Sequence, residues 1–136
     1  MIQPDHDLSA ADIAAIDDAL YAVNAKATGR DDARPMAFTV RGEDGRITAA
    51  AIGHTWAGTA ELKLLWVAES LRGQGVGSTL LTAFIDEARA RGARKLWVSS
   101  HDFQAPAFYE RHGFDRMATF ADWPEGHTNI VLCKRL

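Results

Sequence analysis

A chain of 136 residues with 47% apolar and 24% charged side chains has the size and composition of one globular domain, residues 1–136, which excludes disordered, collagen-like and low-complexity classes. The net charge of −3 argues against a nucleic-acid partner, whose binding face would carry surplus Lys and Arg, and the single cysteine, Cys133, can form neither an internal disulfide nor a zinc cluster. No run approaches the ~20 apolar residues that cross a bilayer, and the first residues carry no basic, then apolar, leader, so the expectation is a cytoplasmic protein with no membrane partner and no metal.

Ser9, followed three residues later by Asp12, has the spacing of a capping box. Ile13, Ile16, Leu20 and Val23 then recur at steps of three and four, which predicts an amphipathic helix covering a neighbour. Gly29 and the polar run to Pro35 end it. Met36 to Val40 is β-like, and Asp44-Gly45 marks a tight hairpin into Ile47 to Trp56. A second turn at Ala57-Gly58 leads to a third strand, Glu61 to Val67. A glycine-rich turn follows, then a helix with Val76, Leu80, Leu81, Phe84, Ile85 and Ala88 on its apolar face, closed by Gly92. Lys95 to Ser99 is a strand separated from the preceding one by a helix, so these two are expected to pair in parallel. A short helix from Pro106 to His112 and two strands, Phe114 to Phe120 and Thr128 to Cys133, complete the chain. This order predicts an α+β (mixed α/β) fold: a mostly antiparallel sheet of six to seven strands with one parallel junction, flanked by three to four helices. Trp97 and Cys133 are expected to pack inside, whereas Trp56, Trp66 and Trp123 fall at strand ends or in loops.

The chemistry concentrates in the glycine-rich turn. Glycines at 73, 75 and 77 let the backbone fold closely around a ligand, and amides at a helix start, backed by the positive end of its dipole, bind phosphate. A P-loop is excluded because Ser78 and Thr79, with no lysine, follow Gly77. A dinucleotide fingerprint fails as well, since its last glycine would fall on Ser78 or Leu80. What remains is R-x-x-G-x-G, Arg72 to Gly77. The stretch from Leu64 to Leu81 resembles the acetyl-CoA motif of the GNAT superfamily of N-acetyltransferases. The stretch Ala105 to Phe114, a helix carrying Tyr109 and ending in Gly113-Phe114, resembles that family's second motif.

The resemblance implies an acyltransferase that moves the acetyl group of acetyl-CoA to a primary amine of a small molecule or peptide. The direct attack would take place in a ternary complex. It implies that the backbone of Arg72, Gly73, Gln74, Gly75, Val76, Gly77 and Ser78 cradles the pyrophosphate. Leu65, Trp66 and Val67 would pair with the pantetheine amides, and the Leu65 amide would face the developing oxyanion. Tyr109 matches a tyrosine that protonates or hydrogen-bonds the departing thiolate. Glu61, eleven residues before Arg72, matches the catalytic glutamate of the histone-acetylating branch, and alternation places it on one strand face with Lys63, Leu65 and Val67. A surface pair between Glu61 and Lys63 is the plainer alternative, and His127, Asp122, His54 or water are the other candidate bases. Asp102 stands seven residues before Tyr109, where relatives carry an asparagine that contacts the coenzyme, so His101 and Gln104 become candidates for that work. The competing functional class is a coenzyme A-binding module without turnover. Dimers are common in similar proteins.

Overall fold

The computed structural model describes all 136 residues and distinguishes two units, Met1–Asp32 and Ala33–Leu136. The first consists of helix α1 (Ala10–Thr28) and its flanks. Its N-cap Ser9 accepts from the Asp12 amide at 3.1 Å and donates its hydroxyl to the Asp12 carboxylate at 2.7 Å. Aspartate is one methylene shorter than the glutamate of a full capping box, and it returns the bond to the hydroxyl rather than to the backbone. Gly29, at φ 67°, ends the helix. The stripe of Ile13, Ile16, Leu20 and Val23, expected to cover a neighbour, is 50–64% exposed, and no residue of α1 is buried.

The second unit is a six-stranded sheet in the order β1-β2-β3-β4-β6-β5. Strands β1 (Arg34–Arg41), β2 (Ile47–Trp56) and β3 (Thr59–Val67) form an antiparallel meander. Helix α2 (Val76–Ala90) crosses to β4 (Lys95–His101), which pairs with β3 in parallel, as the intervening helix led us to expect. A short helix α3 (Pro106–Arg111) then leads into the antiparallel hairpin of β5 (Asp115–Ala121) and β6 (Thr128–Arg135), with β6 seated between β4 and β5.

One face of the sheet holds the core. Leu80, Leu81, Phe84, Ile85 and Ala88 of α2 pack on Ala49 and Ala51, Leu62, Leu96 and Val98, and Ile130 and Leu132, joined by Tyr109 and Phe114. The small side chains on β2 leave room for the bulk of Phe84. Trp97 is not part of this core: Leu96 and Val98 take the inward positions of β4, so alternation turns Trp97 to the opposite face, where it is 41% exposed. Cys133 is half-buried.

Two irregularities shape β3. Its register against β2 runs Ile52 to Leu64 but Gly53 to Leu62, so Lys63 is an extra residue in a β-bulge. Ala60 and Leu62 face the core before the bulge; Leu65 and Val67 face it afterwards. Glu61 therefore lies on the face opposite Leu65 and Val67, contrary to simple alternation. The bulge requires a bare strand beside it. A Cβ on Gly53 would lie 1.8 Å from the Glu61 carbonyl oxygen and 2.8 Å from the Phe84 ring. The second irregularity is that β3 and β4 pair only over Thr59–Glu61 and Lys95–Trp97, after which the two strands part.

Candidate functional site

The parting of β3 and β4 opens a cleft of about 520 Å³. One wall is β3, with Lys63, Leu64, Leu65 and Val67; the other is β4, with Val98, Ser99 and Ser100. The mouth is the turn from Leu71 to Ser78, and the core side is closed by Phe108, Tyr109 and Arg111 of α3 together with Gln104 and Ala105.

The turn is built for an anion. Gly73 and Gly75 sit at φ 74° and 78°, a left-handed backbone that side chains disfavour. Gly75 is the N-cap of α2, so it offers no capping side chain, and no acidic residue stands in the helix's first turn. The first amides and the positive dipole end are left facing the cleft. Arg72 donates from Nε to the Val67 carbonyl at 3.1 Å, and Gln74 donates to the Ser70 carbonyl at 3.0 Å, so both long side chains brace the turn. Among the residues expected to hold a donor, Leu65, Val67, Arg72, Gly73, Gly75, Val76, Gly77 and Ser78 line the cleft. Gln74 and Trp66 do not line it: the Gln74 side chain folds back on the turn, and Trp66 stands 50% exposed on the other sheet face.

Tyr109 is 6% exposed, with its ring edge-on to Phe108 and Phe114. Burial pushes its phenol up to about 12, so the hydroxyl is a protonated donor throughout the physiological range. Glu61 stands on the opposite face of the sheet and outside the cleft lining. Its carboxylate lies 3.7 Å from Nε2 of His54, its register partner on β2, so the neighbour of Glu61 is His54 rather than Lys63.

Asp102 turns away from the cleft. Its Oδ2 accepts from the Thr128 amide at 3.0 Å and its Oδ1 lies 3.0 Å from Nδ1 of His127. The backbone hydrogen bond from Thr128, with the His127 contact adding to it, holds its carboxyl below the usual 3.8. This placement removes the conflict between an acidic side chain and an anionic donor. Because the folded-state value is depressed, the tether is complete above pH 3.8 and is lost as pH falls below it. We expect the Thr128 amide resonance to titrate in that acidic range, and Asp102→Ala to abolish the transition. Of the two substitutes considered for this position, Gln104 lines the cleft and also accepts from the His101 amide at 2.8 Å, whereas His101 remains outside. Asp122, at φ 54°, accepts from the Gly126 amide at 3.1 Å and so braces the β5–β6 loop.

Phe108 and Arg111 were not singled out by sequence reasoning, although both lie within the second motif. Their spacing on α3 places them on one helix face beside the cleft.

The family model for the GNAT family of acetyltransferases matches residues 6–114. Over 121 residues the chain is 35% identical to the acetyltransferase Atu2258 of Agrobacterium fabrum, covering 89% of this chain and 88% of that protein. It is 39% identical over 111 residues to blasticidin-S acetyltransferase of Streptomyces morookaense, covering 77% and 80%. A crystal structure from Agrobacterium tumefaciens superposes with a TM-score of 0.89 at 32% identity, covering 100% of this chain and 98% of that one.

Proposed function

Given that the chain belongs to the GNAT family of acetyltransferases and is an N-acetyltransferase, we propose that the acceptor amine attacks acetyl-CoA directly, with both substrates held at the opening between β3 and β4. The observation that carries this reading is the division of labour between the two faces of the sheet at that opening. Tyr109 approaches from the core side, and Glu61 stands on the other.

Acetyl-CoA supplies the thioester whose acyl carbon the amine attacks. The turn from Arg72 to Ser78 fits its pyrophosphate by the anion-receptive features described above, and Leu65 and Val67 present backbone to the cleft that holds its pantetheine. The Leu65 amide is the donor we assign to the developing oxyanion. Glu61 takes the proton that the ammonium must lose before or during attack. Tyr109 donates to the departing sulfur. Burial holds the phenol at about 12, so it is present as a protonated donor when charge builds on the sulfur. The phenol protonates or hydrogen-bonds the thiolate as charge builds on it.

The match to blasticidin-S acetyltransferase supports a small-molecule amine as the acceptor. The family match runs from residue 6 to 114, through both units of the chain, which supports reading 1–136 as one catalytic domain. The unpaired Cys133 suits a reducing, cytoplasmic setting.

Screening primary amines for thiol release from acetyl-CoA tests the reading, beside calorimetry of acetyl-CoA alone. Glu61→Gln is expected to reduce kcat/KM most at low pH, with the deficit shrinking as solvent deprotonates the amine at high pH. A parallel, undiminished profile removes Glu61 as the base. Acetyl-CoA binding without turnover of any amine would instead favour a coenzyme A-binding module.

A further inference from the structure

The sheet face opposite the core carries a group of side chains of which only Leu64 also lines the donor cleft. The register sets them in rows. His54, Glu61 and Trp97 are successive partners across β2, β3 and β4, at the last rung before β3 and β4 part. Beyond that rung the bulge brings Leu64 and Trp66 onto the same face as Glu61, along one lip of the opening; His101 stands along the other. This corner is apolar and exposed: Leu64 is 61% exposed, Trp66 50% and Trp97 41%. It also holds a carboxylate with no permanent cation. Glu61 makes no ion pair with lysine or arginine, and the His54 ring, at 3.7 Å, is charged only when protonated.

An indole face beside an unneutralised carboxylate attracts an organic cation, because the ring quadrupole and the carboxylate both favour positive charge. The apolar lip formed by Leu64 and Trp66 is suited to the uncharged body of the same molecule. The corner is continuous with the reaction site, since Leu64 lines the donor cleft while its neighbours belong to the outer face. We propose that Trp97 is a specificity-determining residue for the acceptor. Its indole is the wall against which a cationic amine with an apolar or planar body lies as it reaches Glu61. One proton leaves the ammonium nitrogen for the Glu61 carboxylate, the freed lone pair forms the new C–N bond as the C–S bond breaks, and the second proton lost by that nitrogen passes to the departing thiolate, leaving a neutral amide and free thiol. The inference rests on the acetyl-transfer reading given above and adds to it the character of the acceptor.

The test uses the whole protein with acetyl-CoA present and phenethylamine as the probe, with 2-phenylethanol as its uncharged counterpart. The indole N–H resonances are followed by heteronuclear NMR and assigned through Trp97→Phe and Trp66→Phe. We expect the Trp97 resonance to move with phenethylamine and much less with the alcohol, and Glu61→Gln to erase that preference. In thiol-release assays Trp97→Leu is expected to raise the KM for phenethylamine by roughly five- to thirtyfold, more than it lowers kcat, while Trp97→Phe retains most of the affinity. Trp97 is partly exposed, so Trp97→Leu should fold; the melting temperature checks this. Equal responses to amine and alcohol, or shifts confined to Trp56 and Trp123, overturn the proposal. Failure of acetyl-CoA to bind by calorimetry would instead overturn the acetyl-transfer reading itself.

Discussion

Replacing Tyr109 by Phe is expected to lower kcat about 100-fold while acetyl-CoA affinity stays within about threefold, because the phenol's contribution grows with charge on the sulfur and is small in the ground state. Stopped-flow thiol release and calorimetry would measure the two quantities separately. Phe fills nearly the same volume, and the ring already packs edge-on to Phe108 and Phe114, so the core should accept it. The raised phenol also makes a prediction about pH. With the group held at about 12, no loss of activity from phenol ionisation should appear below pH 10, the ordinary tyrosine value. An alkaline limb near 10 that disappears in Tyr109→Phe would show that the site is wetter than its 6% exposure implies. An unchanged kcat in Tyr109→Phe would remove the residue from the reaction.

Gly53→Ala is expected to cost about 3 kcal/mol, lowering Tm by roughly 10 °C, an effect at the upper end for adding a methyl to a packed core. The added carbon would sit 1.8 Å from the Glu61 carbonyl oxygen, a backbone atom that cannot rotate away, and 2.8 Å from Phe84. Relief requires the bulge to straighten, which would carry Leu65 and Val67 to the wrong face. Loss of stability and loss of acetyl-CoA binding are therefore expected together in thermal melts and calorimetry. Gly73→Ala offers the contrast: open space surrounds its added Cβ, and only the strain of φ 74° opposes it. A stable Gly53→Ala protein would show that the bulge does not depend on a bare strand.

Element boundaries were legible because nearly every one carries a chemical mark. Ser9 and Gly29 bracket α1, Gly45 and Gly58 sit in the hairpin turns, Gly75 begins α2, and Pro106 and Gly113 bracket α3. The shape of the Arg72–Ser78 turn was legible for the same reason, since Gly73 and Gly75 hold the left-handed backbone that glycine advertises. The bulge was not, since Leu62-Lys63-Leu64-Leu65 reads as ordinary strand and the trace of the extra residue is Gly53, on a different strand. That omission assigned Glu61 to the wrong face. Trp97 was assigned to the core because a large aromatic in a short strand suggests burial; the inward positions belong to Leu96 and Val98, and only the phase of alternation decides. Asp102 illustrates a third difficulty. Its partners, His127 and Thr128, lie 25 and 26 residues further along the chain, and no local pattern announces them.

The short seam between β3 and β4 has a consequence for how the protein can change. A flat sheet has two edges, whereas this one has four: the outer borders of β1 and β5, and two inner borders where β3 and β4 separate beyond Glu61 and Trp97. Outer borders invite other chains to pair, but the inner ones face each other across the cleft of about 520 Å³. Recognition across such a gap is written in main-chain groups, which are the same whatever side chains the strands carry. Under the donor and acceptor sites proposed above, substitution on the outward face would alter which amine is accepted without eroding the grip on the donor.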